Sequence, residues 1–375
     1  MKTYETQSNR NNQKNKIEDR RLRRSLLQKV TSSNVALRTV FTLIMVVCVI
    51  VTLFIDKFYL FITIYVIKTM AYNEITNAIK FQKKRRLDVI QSWYFMIVID
   101  YYLIGGNLMN IYADKIPVQL YNNHLFVSFN LYIAGIIIFI LNLKGKAMRT
   151  QFGHFALSHI TMIFMSLVSS FFIINLNNGK LWFLFPALLV ASNDIFAYIF
   201  GKFFGKTPLI KLSPKKTWEG FAGGLFSTLV LGHVLCLLKT KYTFCPDKFD
   251  MNLLYTNHYK ILRLSIKITT LAVHMTVFAL FAGLIAPFGG FFASGFKRAF
   301  KIKDFGESIP GHGGIVDRLD CQFLMGIFVN VYYRTFVSGK IFTPEKVCNI
   351  AIKNLSINEV KELVYMLNNF ITNNS

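Results

Sequence analysis

The densest chemistry in the chain lies in SGFKRAFKIKDFGESIPGHGGIVDRLD, residues 294 to 320. Lys297, Arg298, Lys301 and Lys303 make a cationic face which alone would be an ordinary snorkelling or headgroup-binding cluster. The acidic end changes that reading. If Asp317, Arg318 and Asp320 open a helix, the two carboxylates stand three residues apart on one face, within reach of a shared cation. Carboxylates that merely complement a helix dipole are the plain alternative. Mg²⁺ is usually held by one or two carboxylates, with water and substrate phosphates in the remaining positions, which suits this pair together with Asp194. The GHGG loop, residues 311 to 314, lets backbone amides and His312 approach a phosphate closely. Glycine pairs are also routine in turns.

Two more polar groups lie upstream. Asn193 and Asp194 interrupt the apolar run FPALLVASNDIFAYIFG. A carboxylate in a membrane segment costs about 3 kcal/mol on insertion scales, so it marks a functional site unless it serves as a hydrogen bond between helices. The other is LSPKKTWEGFAGG, residues 212 to 224. Ser213 and Pro214 read as a helix start. On that reading Lys215 and Lys216 oppose the helix dipole unless an anion such as a triphosphate sits at the N-terminus, with interfacial snorkelling as the alternative. Thr217 and Glu219 would orient the lysines or hold metal-bound water, while Gly220, Gly223 and Gly224 allow close helix approach.

These groups need a frame, and composition says which. Of 375 residues, 53% are apolar and only 17% charged, too few charges for a soluble domain of this size. Roughly 20 apolar residues cross a bilayer. Nine candidate spans meet that test, near 37–55, 58–79, 92–111, 125–143, 154–175, 181–200, 219–238, 268–293 and 321–337. The fold expected is therefore an all-α polytopic membrane bundle. It divides into a disordered basic tail (1–34), N-terminal spans (35–180), a catalytic membrane region with the polar loops (181–337) and a polar helical tail (338–375).

Threading nine spans alternately puts the N-terminal tail and the positive loops Lys80 to Arg86, Lys144 to Arg149, Gly201 to Lys216 and Lys297 to Lys303 on one side, which should be cytoplasmic. The net charge of +24 suits anionic headgroups or a polyanionic substrate. No aromatic-laced basic module outside the membrane points to nucleic acid. The five cysteines lack metal-type spacing and read as core fillers. No cleavable signal peptide is expected, because the first apolar run begins only near Val35, behind a long polar, basic stretch. The basic stretch from Ile17 to Val30 could lie on an anionic membrane surface or imitate a mitochondrial presequence, although Glu18 and Asp19 argue against the latter.

The third segment resembles the signature of the eukaryotic CDP-diacylglycerol synthases, or phosphatidate cytidylyltransferases. Their pattern is filled here by Ser294, Lys297, Arg298, Lys303, Asp304, His312, Gly313, Gly314, Asp317, Arg318 and Asp320 without a departure. The likeness is close over 181 to 224 and 285 to 325, and elsewhere is one of hydropathy.

The resemblance implies an integral membrane enzyme, a homodimer, that joins CTP to phosphatidic acid with Mg²⁺, alone or with a second cation, and releases pyrophosphate. Asp194, Asp317 and Asp320 are then expected at the metal. Lys215, Lys216, Lys297 and Arg298 are expected at the triphosphate and lipid phosphate, with Ser213, Thr217, Ser294, Gly313 and Gly314 lining the substrates. Glu219, Lys303, Asp304, His312 and Arg318 would position or polarise the same groups. The implied location is the endoplasmic reticulum with the site facing the cytosol, a mitochondrial-type inner membrane being the alternative. A CTP-dependent lipid kinase would release CDP instead of pyrophosphate, and a transporter would move substrate without consuming CTP.

Overall fold

In a computed structural model, the structure describes residues 51, 54–78, 86–112, 115–241, 256–261, 264–309, 313–338, 344, 347–348, 351–352 and 355–374. The expected disordered tail, most of the first span and His312 lie outside the described residues. Two compact units result, one ending at Val329 and the other beginning at Asn330.

The first unit is helical, as its apolar runs require. Its helices are α1 (Lys57–Ala78), α2 (Arg86–Asp100), α3 (Gly106–Ile111), α4 (Val118–Leu141), α5 (Met148–Asn178), α6 (Lys180–Phe204), α7 (Trp218–Lys241), α8 (Thr270–Leu284), α9 (Pro287–Ala299) and α10 (Val316–Tyr332). A π-helical turn, Tyr101–Gly105, joins α2 to α3. Among the described residues, six helical stretches are long and apolar enough to cross a membrane: 86–111, 118–141, 145–178, 180–204, 218–239 and 270–299. They match six of the nine spans read from the sequence. Of the other three, α1 has the length but carries Lys57, Lys68 and Glu74, α10 has 17 residues, and most of the first lies outside the described residues. The chain is thus an all-α polytopic membrane protein. Leu125, Phe126, Phe129, Ile140 and Leu141 on α4 are exposed, the apolar outer surface such a protein turns to lipid.

Three local features depart from the sequence reading, and two of them shape the site. SPKKT does not start a helix. Ser213–Thr217 forms strand β2, paired antiparallel with β1 (Pro208–Ile210), and α7 begins only at Trp218. Thr217 is the capping residue instead, its Oγ1 accepting from the Gly220 N–H at 3.2 Å. The span read as 268–293 is two helices, because Pro287 has no N–H to continue the ladder and restarts as the first residue of α9. The stretch from Lys239 to Lys267, read as a loop, contains a second hairpin, β3 (Thr256–Ile261) with β4 (Leu264–Thr269).

Small residues set the distance between α6 and α7, as expected. A Cβ on Gly220 would meet Ala197 O at 2.6 Å, one on Gly223 the Phe200 ring at 2.3 Å and one on Gly224 Asn193 Oδ1 at 2.8 Å. A core cluster of Ala71, Met165, Val168, Ala293, Phe305, Val316 and Phe323 ties α1 and α5 to α9, α10 and the loop between them. The turn ending α9 is a Schellman motif: Ile302 N–H donates to Lys297 O at 2.9 Å, Lys301 N–H to Arg298 O at 3.2 Å, and Lys301 takes φ 54°.

In the second unit, α11 (Ile357–Asn374) opens with a reciprocal capping box, Ser356 N–H donating to Glu359 Oε2 at 2.7 Å and Glu359 N–H to Ser356 Oγ at 3.5 Å. The sequence reading called this tail polar. Ile357, Val364, Leu367, Phe370 and Ile371 instead give α11 an exposed apolar stripe.

Candidate active site

Where α6, the β1–β2 hairpin, α7 and α9 meet, a cavity of about 470 Å³ opens. Asn193, Asp194, Ser213, Lys216 and Thr217 line it, all singled out in the sequence. Lys202 joins them and had not been singled out. The apolar side is Tyr198, Leu209, Phe221, Pro287 and Phe291, so a charged rim and a greasy wall share one space.

The hairpin explains how Lys216 gets there. Antiparallel pairing holds β2 against β1, and Lys216 Nζ ends 4.5 Å from the centroid of the Phe291 ring on α9. A glycine pair on α9 makes room. A Cβ on Gly290 would stand 3.2 Å from Lys216 Nζ and 3.4 Å from Asp320 Oδ2, and one on Gly289 would strike the Asp320 carbonyl at 2.3 Å. The missing side chains let Lys216 from the hairpin and Asp320 from α10 converge on one patch of α9. Lys216, Asp320 and Arg318 all act electrostatically on Asp194, and Lys216 acts on Asp320 as well. Lys216 and Asp194 line the cavity, and Lys216 is within electrostatic reach of Asp320 behind it as well.

Asp317 belongs to a second knot. Its Oδ1 accepts from Lys297 Nζ at 2.5 Å, and its Oδ2 accepts the Phe305 N–H at 2.9 Å and the Gly314 N–H at 3.2 Å. Among the described residues, no three His, Cys, Asp or Glu side chains gather into one metal-binding group. Asp194 and Asp320 are brought together, while Asp317 faces an ammonium.

The loop amides also differ from expectation. The N–H groups of Gly314, Ile315 and Val316 all point at protein carboxylates rather than into open space. Gly314 donates to Asp317, and Ile315 and Val316 donate to the two carboxylate oxygens of Glu74 at 2.9 and 3.0 Å. Gly313, at φ 86°, supplies the turn, and its carbonyl accepts from Ile309 N–H at 2.9 Å. Glu219 is a hairpin anchor: it accepts from Thr207 Oγ1 at 2.7 Å and from the Lys206 and Thr207 N–H groups. These donors hold its carboxylate at the hairpin's base.

Ser294 Oγ donates back to Gly290 O at 2.7 Å. Arg298, Lys303, Asp304 and Arg318 are exposed beside the knot, and Lys215 lies in β2 next to Lys216. Glu74, Gly289, Gly290 and Phe291 had not been marked for chemistry. One signal could have found Glu74: it is a carboxylate in a membrane-length apolar run, the rule that picked out Asp194.

The comparisons with known proteins cover the same stretch of the chain. The model of the "Cytidylyltransferase family" matches residues 36–336. "Phosphatidate cytidylyltransferase 1" of Mus musculus is 40% identical over 342 residues, 83% of this chain and 74% of that one, and the Homo sapiens protein of the same name matches equally. A "Putative phosphatidate cytidylyltransferase" of Schizosaccharomyces pombe is 35% identical over 378 residues, covering 92% of this chain and 86% of that one. A matched segment that contains every described element from α1 to α10, and with them both the cavity and the Asp317 knot, places this chain in the cytidylyltransferase family.

Proposed function

We propose that the protein is a phosphatidate cytidylyltransferase, converting CTP and phosphatidic acid to CDP-diacylglycerol and pyrophosphate. A phosphate monoester has its second pKa at about 6, so the attacking oxygen of phosphatidic acid is already largely ionised at neutral pH and needs no general base. That oxygen bonds to the α-phosphorus of CTP as the bond to the β-phosphate bridging oxygen breaks, and the electron pair leaves with pyrophosphate. The barrier is repulsion between two polyanions. Cations that hold them in line and take up charge in the transition state lower it.

Lys216 and Lys202 meet the phosphates in the cavity, with Lys215, Arg298 and Arg318 contributing to the positive field around it. The apolar wall of Tyr198, Phe221 and Phe291 suits the glycerol and first methylenes of a lipid whose phosphate reaches Lys216. Asp194 and Asp320 fit Mg²⁺, which takes one or two carboxylates and leaves its other positions to water and phosphate. When bound there, Mg²⁺ would neutralise charge on the triphosphate. Asp317 and Lys297 hold the loop that leads into α10, the helix of Asp320, while His312 and Asp304 polarise the same phosphates. The enzyme works as a homodimer in the endoplasmic reticulum membrane, with the cavity on the cytosolic face where the positive loops collect.

The observation that carries this reading is the convergence of Lys216, Asp194 and Asp320 beside an apolar wall. Purified protein in mixed micelles with phosphatidic acid, Mg²⁺ and CTP labelled in the base should yield a lipid-soluble cytidine product. Label that stays in the aqueous phase contradicts it.

A further inference from the structure

We infer that Glu74 is a positioning residue of this site, a carboxylate on α1 that fixes where α10 begins and so where Asp317 and Asp320 stand. The inference rests on the cytidylyl-transfer reading. Glu74 lies in a helix far from the signature in sequence, yet it is buried, 6% exposed, with its oxygens on two consecutive backbone N–H groups. Those groups belong to Ile315 and Val316, the residue before α10 and its first residue. They are donors that a helix start leaves without an intrahelical partner, at the end where the dipole favours negative charge.

The loop is shaped around this side chain. A Cβ on Gly314 would stand 2.6 Å from Glu74 Oε2, and one on Gly306 would stand 2.9 Å from Glu74 Cγ and Cδ. Two signature-region glycines therefore leave space for a carboxylate delivered from outside the signature. The neighbours of Glu74 on α1, Ala71 and Ile75, pack in the same core cluster as Val316 and Phe305. Asp317 completes the clamp by taking Gly314 N–H, so three successive amides are held by two carboxylates. Asp320 stands one turn further along α10, and a helix whose first turn slips carries it away from Lys216. Glu74 is not among the residues lining the cavity, so its effect passes through the start of α10.

The test compares full-length wild type with E74Q and E74D in detergent, by hydrogen–deuterium exchange and by kinetics. E74Q keeps the shape but replaces one acceptor oxygen with a donor. Exchange should quicken in peptides covering 305–321 and stay unchanged in α4 and α8. Turnover should fall at least about tenfold, since misplacement of about 1 Å can cost about a hundredfold. The Mg²⁺ concentration for half-maximal rate should rise, while KM for phosphatidic acid stays within about twofold. E74D, which keeps the charge, should recover part of both. Unaltered local exchange in E74Q overturns the inference whatever the activity. So does wild-type turnover with wild-type Mg²⁺ dependence, or exchange that rises uniformly through the protein in both variants, the mark of a merely structural residue. Wild type that makes no CDP-lipid, with the local exchange effect present, sinks the activity reading and leaves the clamp standing.

Discussion

The ammonium of Lys297, near the end of α9, lies 2.5 Å from Oδ1 of Asp317, in the first turn of α10, with the two side chains 15% and 8% exposed. That contact closes the loop between them. Because Asp317 also takes two backbone N–H groups, removing its charge leaves one acceptor oxygen for three donors.

Asp317→Asn should therefore destabilise the folded protein by about 3 kcal/mol, the range for breaking a largely buried ion pair from one side. Lys297→Met alone should cost less, because Asp317 keeps its two amide donors. The double variant should be more stable than the sum of the singles predicts, and thermal unfolding in detergent over the complete cycle measures that coupling.

Gly289 and Gly290 should respond differently to a single methyl. The Cβ of Gly289→Ala would meet a backbone carbonyl, Asp320 O, at 2.3 Å, so α9 and α10 must separate and little folded protein should be recovered. The Cβ of Gly290→Ala meets only side-chain ends, Lys216 Nζ at 3.2 Å and Cys321 Sγ at 3.3 Å, so that variant should fold and insert. Its KM for CTP should rise about tenfold or more because Lys216 is pushed off its place over Phe291. Yield after size-exclusion chromatography and steady-state kinetics separate the two outcomes.

How much of this was legible in the sequence depends on whether the residues that make each feature are close along the chain. The spacing from Ser294 to Asp320 is contiguous, so its cations, its glycine turn and its carboxylates could be read directly. The apolar runs likewise announced the helices, because in lipid each helix satisfies its own backbone. SPKKT misled because Ser-Pro is genuine helix-start chemistry, and only pairing with Pro208–Ile210 makes it a strand. Glu74 went unread for a different reason. Nothing in its own helix shows that Ile315 and Val316 will come to it, and only tertiary packing joins them.

Lys216→Met and Asp320→Asn should each lower turnover by about a hundredfold or more while leaving folding intact, since the proposed roles put Lys216 at the phosphates and Asp320 at the metal rather than in the core. Phe291→Leu should be far milder. Loss of the ring beneath Lys216 removes about 1 kcal/mol of cation–π attraction, roughly fivefold in affinity. Circular dichroism and a CTP titration of each variant check the split.

Lys301 carries a left-handed backbone, φ 54°, in the turn that ends α9. Lys301→Gly should stabilise the protein by about 1 kcal/mol, because glycine adopts that conformation without the Cβ penalty. Activity should be unchanged, which would show that the charge at 301, unlike that at 297, is dispensable. Melting temperature and turnover of the same preparation decide it.

The most direct measurement follows the phosphorus. Purified protein given phosphatidic acid and Mg²⁺ with CTP labelled at either the α- or the γ-phosphate should move only the α label into lipid and release the γ label as pyrophosphate. Label from the γ position in the lipid, or neither label there while CTP is intact, would contradict cytidylyl transfer at the cavity lined by Asp194 and Lys216.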